Sequence, residues 1–253
     1  MDTDKSTPKN KVLAFMITRA STPERKELLR QTLQQAYRTA GVEFDLVIHG
    51  WTKEASSAVH ELAQDVALGI SPYKYWWNHN VGQHVIMNMM IEKAKDEGYE
   101  FLLRLDDDCK FVTKRWLAKL VDASKSLGGS FIVSPTILGL KHLPERSETV
   151  EVEGIEVKFL FDAIGGVCRL HNVANLTDPE YPYVADVRMP LGFGDATGIG
   201  VWCKNSPKEA RRWMVYLDRV RVKHSTYLQE KEDKVYYKQH DMFQQIPYIP
   251  PHA

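Results

Sequence analysis

Short apolar runs alternate with amphipathic helical patterns through the first half of the chain, and this alternation restricts the possible folds more than any other feature. The first apolar run is Val12–Thr18, and the helical pattern after it begins at Thr22 and Pro23 and ends at Gly41. A hydroxyl at the N-cap, an early proline and a terminal glycine are typical helix boundaries. Further apolar runs at 44–49, 74–77, 101–105 and 131–133 are separated by helical patterns at 59–66, 84–95 and 113–127. This order predicts an α/β fold with a mostly parallel sheet and helices on both faces.

The second half of the chain is richer in loops. Residues 150–152 and 155–157 alternate around Glu153-Gly154, which predicts a β-hairpin, and residues 219–223 predict a late strand. The tail from Ile246 is rich in proline and is expected to be extended. We therefore expect one domain, 1–253, with a regular βα half at 11–135 and a second half with the tail at 136–253.

The composition argues against several classes of protein. Lys plus Arg and Asp plus Glu both number 33, so the formal net charge is zero and no global field attracts nucleic acid or acidic membranes. The apolar runs are too short for a transmembrane helix, and the polar residues 1–10 are unlike a signal peptide. The three cysteines are few, odd in number and far apart, which indicates a reducing compartment. We expect a cytoplasmic protein without membrane insertion.

Three consecutive aspartates follow the predicted strand at 101–105. Because side chains repeat every two residues in extended chain, Asp106 and Asp108 are expected to point the same way and Asp107 to point away. Ligands of open α/β sheets bind beyond the carboxyl ends of strands, and carboxylate oxygens there suit Mg²⁺ or Mn²⁺. The alternative is a solvated acidic turn, or a cap for the helix that is predicted to begin near Thr113.

The order of several motifs resembles the GT-A-fold glycosyltransferases, in particular the inverting enzymes of family 2. In that family a first strand ends in Thr-Arg, an Asn-x-Gly precedes an asparagine-bearing helix, and an Asp-x-Asp strand end precedes a helix with Trp-Leu. The matching segments here are Thr18-Arg19, Asn80-Val81-Gly82, Asn88, Asp106-Asp107-Asp108 and Trp116-Leu117. The resemblance covers about residues 11 to 225, which is most of the chain.

The resemblance implies that 11–135 binds a nucleoside-diphosphate sugar and that 136–253 faces the acceptor. The residues that it implies at the donor are Thr18, Arg19, Asp106, Asp107, Gly165 and Gly166, and those at the metal are Asp108 and His224. A guanidinium such as that of Arg19 binds phosphate well, although a surface ion pair is an equal alternative. Imidazole suits Mn²⁺, although a lone histidine is otherwise more often a surface or core group. The alternative for the two glycines is a bend between strands.

Two positions depart from the family pattern. The resemblance implies a general base at Asp195, but Gly194 stands where a glutamate is usual; Asp195 is also a good N-cap for a helix at 196–202. The end of the second predicted strand lacks the aspartate that in the family recognises the base of the donor nucleotide. His49 or Trp51 is the candidate for that contact here.

A basic segment follows these motifs at 204–238. It holds ten basic and five acidic residues, an excess of 10 − 5 = +5, with Tyr227, Tyr236 and Tyr237 interleaved. Such a segment suits an anionic acceptor, including nucleic acid, but a solvated face is the plainer interpretation.

We therefore predict a metal-dependent inverting glycosyltransferase, a hexosyl- or pentosyltransferase, that uses Mn²⁺ or Mg²⁺. Its acceptor hydroxyl could belong to a glycan, a protein or a hydroxylated base in DNA. Two alternatives remain. A nucleotidyltransferase usually has a glycine-rich loop after the first strand, and residues 18–25 contain no glycine. A non-catalytic sugar-nucleotide or glycan-binding module fits the two departures, but not the intact Asp-x-Asp motif.

Overall fold

The computed structural model describes residues 11–18, 20, 22–50, 53–63, 83–139, 147–161, 164–185, 194–208 and 211–225. The elements, in chain order, are β1 (Val12–Thr18), α1 (Pro23–Thr39), β2 (Asp45–Gly50), α2 (Lys53–Ala63), α3 (Gln83–Asp96), β3 (Phe101–Asp106), β4 (Cys109–Phe111), α4 (Trp116–Leu127), β5 (Phe131–Leu138), β6 (Ser147–Val152), β7 (Ile155–Leu160), β8 (Cys168–Asn172), α5 (Val173–Leu176), α6 (Gly194–Lys204) and β9 (Trp213–His224). None of the described helices is long and apolar enough to span a membrane.

The described strands form one nine-stranded sheet in the order β2-β1-β3-β8-β5-β9-β7-β6, with β4 paired to β9. The pairings β2–β1, β1–β3 and β5–β9 are parallel, while β8 is antiparallel to both β3 and β5. Together with the antiparallel pairs of β4, β6 and β7, this makes β1, β2, β3, β5, β6 and β9 run in one direction. The predicted α/β class with a mostly parallel sheet is confirmed.

The first βα unit forms for the reasons visible in its sequence. All residues of β1 except Ile17 are buried, as expected for a strand covered on both faces. Thr22 caps α1, because its side chain accepts a hydrogen bond from Arg25 N at 3.3 Å, and Pro23 is the first helical residue. Leu29, Leu33 and Ala36 form the buried stripe of α1.

The structure differs from the predictions in the second half of the sheet. Strand β8 was not predicted, because Arg169 and His171 interrupt its apolar pattern, yet both side chains are fully buried. Strand β9 extends over 12 residues and so begins well before the predicted strand at 219–223. Strands from both predicted halves lie side by side in one sheet; the single domain and its division near residue 135 stay predictions. The predicted strand at 74–77 and the tail lie outside the described residues.

Two helix starts also differ from the predictions. Helix α4 begins at Trp116, not at Thr113, because the backbone of Thr113 donates a hydrogen bond to Arg221 and the hydroxyl of Thr113 accepts one from it. Helix α6 begins at Gly194, so Asp195 lies in its first turn and is not the N-cap. A local cap alone does not fix the start of α4, because contacts with a distant strand compete for the same groups.

We predict that Gly41 is required by both its backbone and its surroundings. Its φ is +81°, and an added Cβ would lie 2.8 Å from the Cβ of Arg115. Gly154 is a matched control, since its φ is +72° and nothing lies within 4 Å of its added Cβ. Gly41→Ala is expected to lower the free energy of unfolding in urea by roughly 3 kcal/mol, and Gly154→Ala by about 1–2 kcal/mol, the cost of the left-handed backbone alone. Equal losses would contradict the steric argument.

Candidate active site

The candidate site lies where three strands end at the same edge of the sheet. Strand β3 ends at Asp106, and Ile17 near the end of β1 is its register partner. The chain then turns into β4, in which Cys109 is the register partner of His224 at the end of β9. The backbone N of the following residue, Ser225, donates a hydrogen bond to Asp108 O at 3.1 Å. The pairing of β4 with β9 therefore holds the histidine against the aspartate turn.

The side chains of Asp106, Asp108 and His224 form a cluster with the composition of a metal site. His224 Nε2 lies 3.1 Å from Asp108 Oδ1 and 3.8 Å from Asp106 Oδ2, and one ligand atom of each residue lies within 4.8 Å of the others. Ligands of an ion with bonds of about 2.1 Å lie roughly 3–4 Å apart, so small adjustments would complete a site. Asp108 Oδ1 is buried against His224 Nε2, and His224 Nδ1 is buried without a hydrogen-bond partner among the described residues. Two carboxylates and an imidazole suit Mn²⁺, so these residues fit the ion.

Asp107, in the turn after β3, lies outside this cluster and contacts β1. Its Oδ2 accepts a hydrogen bond from Thr18 Oγ1 at 2.5 Å, and Thr18 is fully buried. Arg25 Nη1 lies 3.8 Å from Asp107 Oδ1 and 3.7 Å from Asp108 Oδ2. The hydrogen bond between Asp107 and Thr18 thus joins the ends of β3 and β1. The positive charge of Arg25 compensates the negative charges of Asp107 and Asp108. Sequence reasoning missed Arg25, because its only local signal is its position in the first turn of α1.

Arg104 was also missed. Its Nη1 donates a hydrogen bond to Asp106 Oδ1 at 2.5 Å, and its Nη2 donates to Gln83 Oε1, the first residue of α3, at 3.3 Å. Its guanidinium lies against Gly166, where an added Cβ would be 3.1 Å from Cζ of Arg104. The backbone of Gly165 hydrogen-bonds to the hydroxyl of Tyr216. Gly166 is therefore adjacent to the residue that orients Asp106.

The crowding of charge changes the pKa values of this site. Burial raises the pKa of Asp106, and the charge of Arg104 opposes that rise. Burial and then the charge of Asp108 raise the pKa of Asp107 to about 6. Burial disfavours a charged His224, but the contact with Asp108 and the other aspartates outweighs it and raises the pKa. The metal-free site therefore binds protons near neutral pH, and a cation must displace them.

Helix α6, which carries Asp195, is held by contacts around its second half. The ring of Trp202 stacks on Tyr181, with centroids 5.9 Å apart, and the guanidinium of Arg212 lies 5.4 Å from the Trp202 centroid. On the preceding segment, Asn88 Nδ2 donates to Ala185 O at 3.0 Å, and Ala185 N donates to Asn88 Oδ1 at 2.8 Å. Asn88, which the sequence resemblance placed in a helix, thus fixes the chain that leads toward α6.

Several predicted site residues lie outside what the structure describes. Arg19, Trp51 and the side chain of Asp195 are among them, as are residues 80–82 and the part of the basic segment after residue 225. His49 is described and is buried at the end of β2.

Solved glycosyltransferase structures have the same fold. The chain matches GalNAc-T7 with UDP, GalNAc and Mn²⁺ at a TM-score of 0.61 and 12% identity, over 85% of this chain and 44% of that one. It matches mannosyltransferase PcManGT from Pyrobaculum calidifontis, in complex with GDP-Man and Mn²⁺, at a TM-score of 0.55 and 13% identity, over 97% of this chain and 67% of that one. It matches S. aureus TarS at a TM-score of 0.53 and 16% identity, over 96% of this chain and 41% of that one. The chain has the GT-A fold.

The likeness is one of structure. This chain spans less than half the length of the GalNAc-T7 and TarS chains that it matches. The sequence matches no protein-family model, and no curated protein matches it significantly. The predicted resemblance to GT-A glycosyltransferases is therefore confirmed at the level of fold, and membership of the inverting family 2 stays a prediction.

We predict that Mn²⁺ stabilises the protein more at higher pH. Because the pKa of Asp107 is raised from 3.8 to about 6 in the folded protein, the metal-free fold loses stability as the pH rises through that value. Bound Mn²⁺ compensates the negative charge that deprotonation leaves on the buried carboxylates. Its effect on the melting temperature should therefore be larger at about pH 7.5 than at about pH 5.5. Asp108→Asn should remove the difference, whereas Asp122→Asn on the exposed side of α4 should keep it. A Mn²⁺ effect independent of pH would contradict the assignment.

We predict that Arg104 orients Asp106 and keeps it ionised. Arg104→Met removes a buried partner of that carboxylate and is expected to lower the free energy of unfolding by roughly 3 kcal/mol. Because Arg104 opposes the rise in the pKa of Asp106, its loss should also move the onset of Mn²⁺ binding to higher pH. Arg38→Met, at an exposed position of α1, is the control. Calorimetric titration with Mn²⁺ across pH checks this, and an unchanged pH dependence would refute it.

Proposed function

We propose that this protein is a metal-dependent inverting glycosyltransferase that moves a sugar from a nucleoside-diphosphate sugar to an acceptor hydroxyl. The observation that carries the proposal is the Asp106, Asp108 and His224 cluster at the carboxyl edge of a GT-A sheet. Ligands of open α/β sheets bind at this edge. The presence of UDP or GDP-Man with Mn²⁺ in two structures of the same fold supports the same donor class and cation here.

The donor side of the proposed site is formed by the ends of β1, β3 and β9. Asp108 and His224 are proposed as metal ligands, with Asp106 beside them. A bound divalent cation would supply positive charge to the diphosphate that leaves. Arg25, 3.7 Å from Asp108, reduces the repulsion between the neighbouring carboxylates.

The remaining donor contacts are proposed from the sequence. Arg19 follows Thr18 directly and is proposed to bind phosphate, while Thr18 acts through its hydrogen bond to Asp107. Gly165 and Gly166 are proposed to border the sugar, where the absence of a side chain permits close approach. We also propose a cytoplasmic location, because all three cysteines are buried and unpaired.

Asp195 is proposed as the general base. It lies in the first turn of α6, in the half of the chain that is proposed to face the acceptor. In the proposed reaction its carboxylate takes the proton of the acceptor hydroxyl as that oxygen bonds to the anomeric carbon. The bond from that carbon to the diphosphate oxygen breaks on the opposite face, and the anomeric configuration inverts.

One experiment separates donor binding from chemistry. Wild-type protein is titrated calorimetrically with UDP, GDP, CDP, their hexose and pentose conjugates and UTP, with and without Mn²⁺. We expect Mn²⁺-dependent binding of one diphosphate family, lost in Asp108→Asn and retained in Asp195→Asn. Slow hydrolysis of the bound donor should fall by at least about 100-fold in Asp195→Asn, and the released sugar should have the inverted configuration by NMR.

Other outcomes would overturn parts of the proposal. Binding of the triphosphate alone would favour a nucleotidyltransferase. Retention of configuration would exclude Asp195 as a simple base, and binding without turnover in the wild type would favour a sugar-nucleotide-binding module.

A further inference from the structure

The last part of β9 presents a row of basic side chains to solvent. From residue 219 onward exposed and buried residues alternate, so that Arg219, Arg221 and Lys223 are exposed while Val222 and His224 are buried. Same-face residues on a strand repeat at about 6.8 Å, so Arg221 and Lys223 form a regular row. Arg219 precedes them in the bulge where the register with β5 shifts. One residue beyond the row, on the opposite side of the strand, is His224 of the metal cluster.

Two lysines on neighbouring segments widen this row into a surface. Lys110 of β4 is the register partner of Lys223 and is likewise exposed. Exposed Lys114 follows Thr113, whose hydroxyl accepts a hydrogen bond from Arg221 N at 2.9 Å. We name these residues the basic face: Lys110, Lys114, Arg219, Arg221 and Lys223.

The strands that carry the basic face hold few acids. Asp218 is the one acid in strands β4, β5 and β9, and its carboxylate accepts a hydrogen bond from Thr136. These three strands hold four of the five cations, so their local excess is 4 − 1 = +3 in a chain with a formal net charge of zero. Within the described ranges none of the five side chains forms an ion pair. Like charges opposite each other, as at Lys110 and Lys223, destabilise a sheet, so the fold gains nothing from this arrangement.

The shape and chemistry of the face favour a linear polyanion. The cations lie in a row that leads to the edge of the sheet where the site lies, so a polymer along the row would have one unit near that edge. The exposed aromatic ring of β9 is Trp213, at the end of the strand remote from the row, where it packs against Phe159 and lies under the guanidinium of Arg211. Contacts with backbone phosphates need cations alone. Val112 and Leu138 are the exposed aliphatic residues beside the row, too few to insert into a membrane.

We propose that the basic face binds the phosphate backbone of a nucleic acid, and that a nucleic acid is the acceptor of the proposed transferase. This inference rests on the proposed function. The transfer would form a bond from a hydroxyl oxygen of the nucleic acid to the anomeric carbon, release the nucleoside diphosphate and pass the hydroxyl proton to Asp195.

The test measures binding of a fluorescent 20-base-pair duplex DNA, and of one of its single strands, by anisotropy at several salt concentrations. Arg221→Gln/Lys223→Gln is compared with the wild type and with Arg38→Gln/Lys95→Gln, which removes one exposed arginine and one exposed lysine elsewhere. We expect the first pair to weaken duplex binding by about 10-fold or more and to reduce the slope of log K against log salt by about 1.8, because each phosphate contact contributes about 0.9. The control pair should leave both unchanged.

Three results would overturn the inference: no binding of either DNA, equal losses in both double variants, or tighter binding to anionic phosphatidylserine vesicles than to DNA. The wild type is titrated with nucleotides and Mn²⁺ in parallel. Nucleotide binding without DNA binding refutes the nucleic-acid acceptor and leaves the transferase intact, whereas failure of both refutes the proposed function as well.

Discussion

The burial of three adjacent carboxylates at the end of β3 is the constraint on which the rest of the site depends. Charges removed from water need partners, and each partner here comes from a different element. Arg104 on β3 bonds to Asp106, Thr18 on β1 to Asp107, and Arg25 on α1 lies beside Asp107 and Asp108. His224 on β9 completes the compensation. The aspartate turn therefore holds three strand ends and a helix in fixed relation.

This dependence explains which parts of the site could be predicted. The grouping of Asp106 with Asp108 was predicted from the two-residue repeat of a strand, and the structure brings both to His224, although Asp107 and Asp108 lie in the turn after β3. His224 could be proposed because it ends a late alternating strand. The same repeat places Arg104 beside Asp106, although it assigns Arg104 no role. Arg25 could not be predicted, because its contacts cross 82 and 83 residues of chain that no local pattern encodes. The same limit applies to Gly166, whose close neighbour is Arg104.

The elements of the fold also differ in whether the sequence predicts them. Strands β1 to β3 and helices α1 and α3 were predictable, since their apolar periods and end signals agree. The insertion of β8 between β3 and β5 was not, because Arg169 and His171 give it a polar appearance. The Nε of Arg169 donates to His171 Nε2 at 3.1 Å, and its Nη1 donates to Ile164 O at 3.4 Å. Hydrogen bonds made inside the sheet thus satisfy polar groups that a sequence pattern assigns to a loop.

Strand β9 links the two surfaces that the proposed function uses. Its alternation directs His224 toward the aspartates and Lys223 toward solvent, so a shift of one residue in its pairing with β4 would exchange the two. The hydrogen bond from Ser225 N to Asp108 O and the contacts of Thr113 with Arg221 fix that register at both ends of the short ladder. The metal cluster and the basic face are therefore not independent features, because one register determines both.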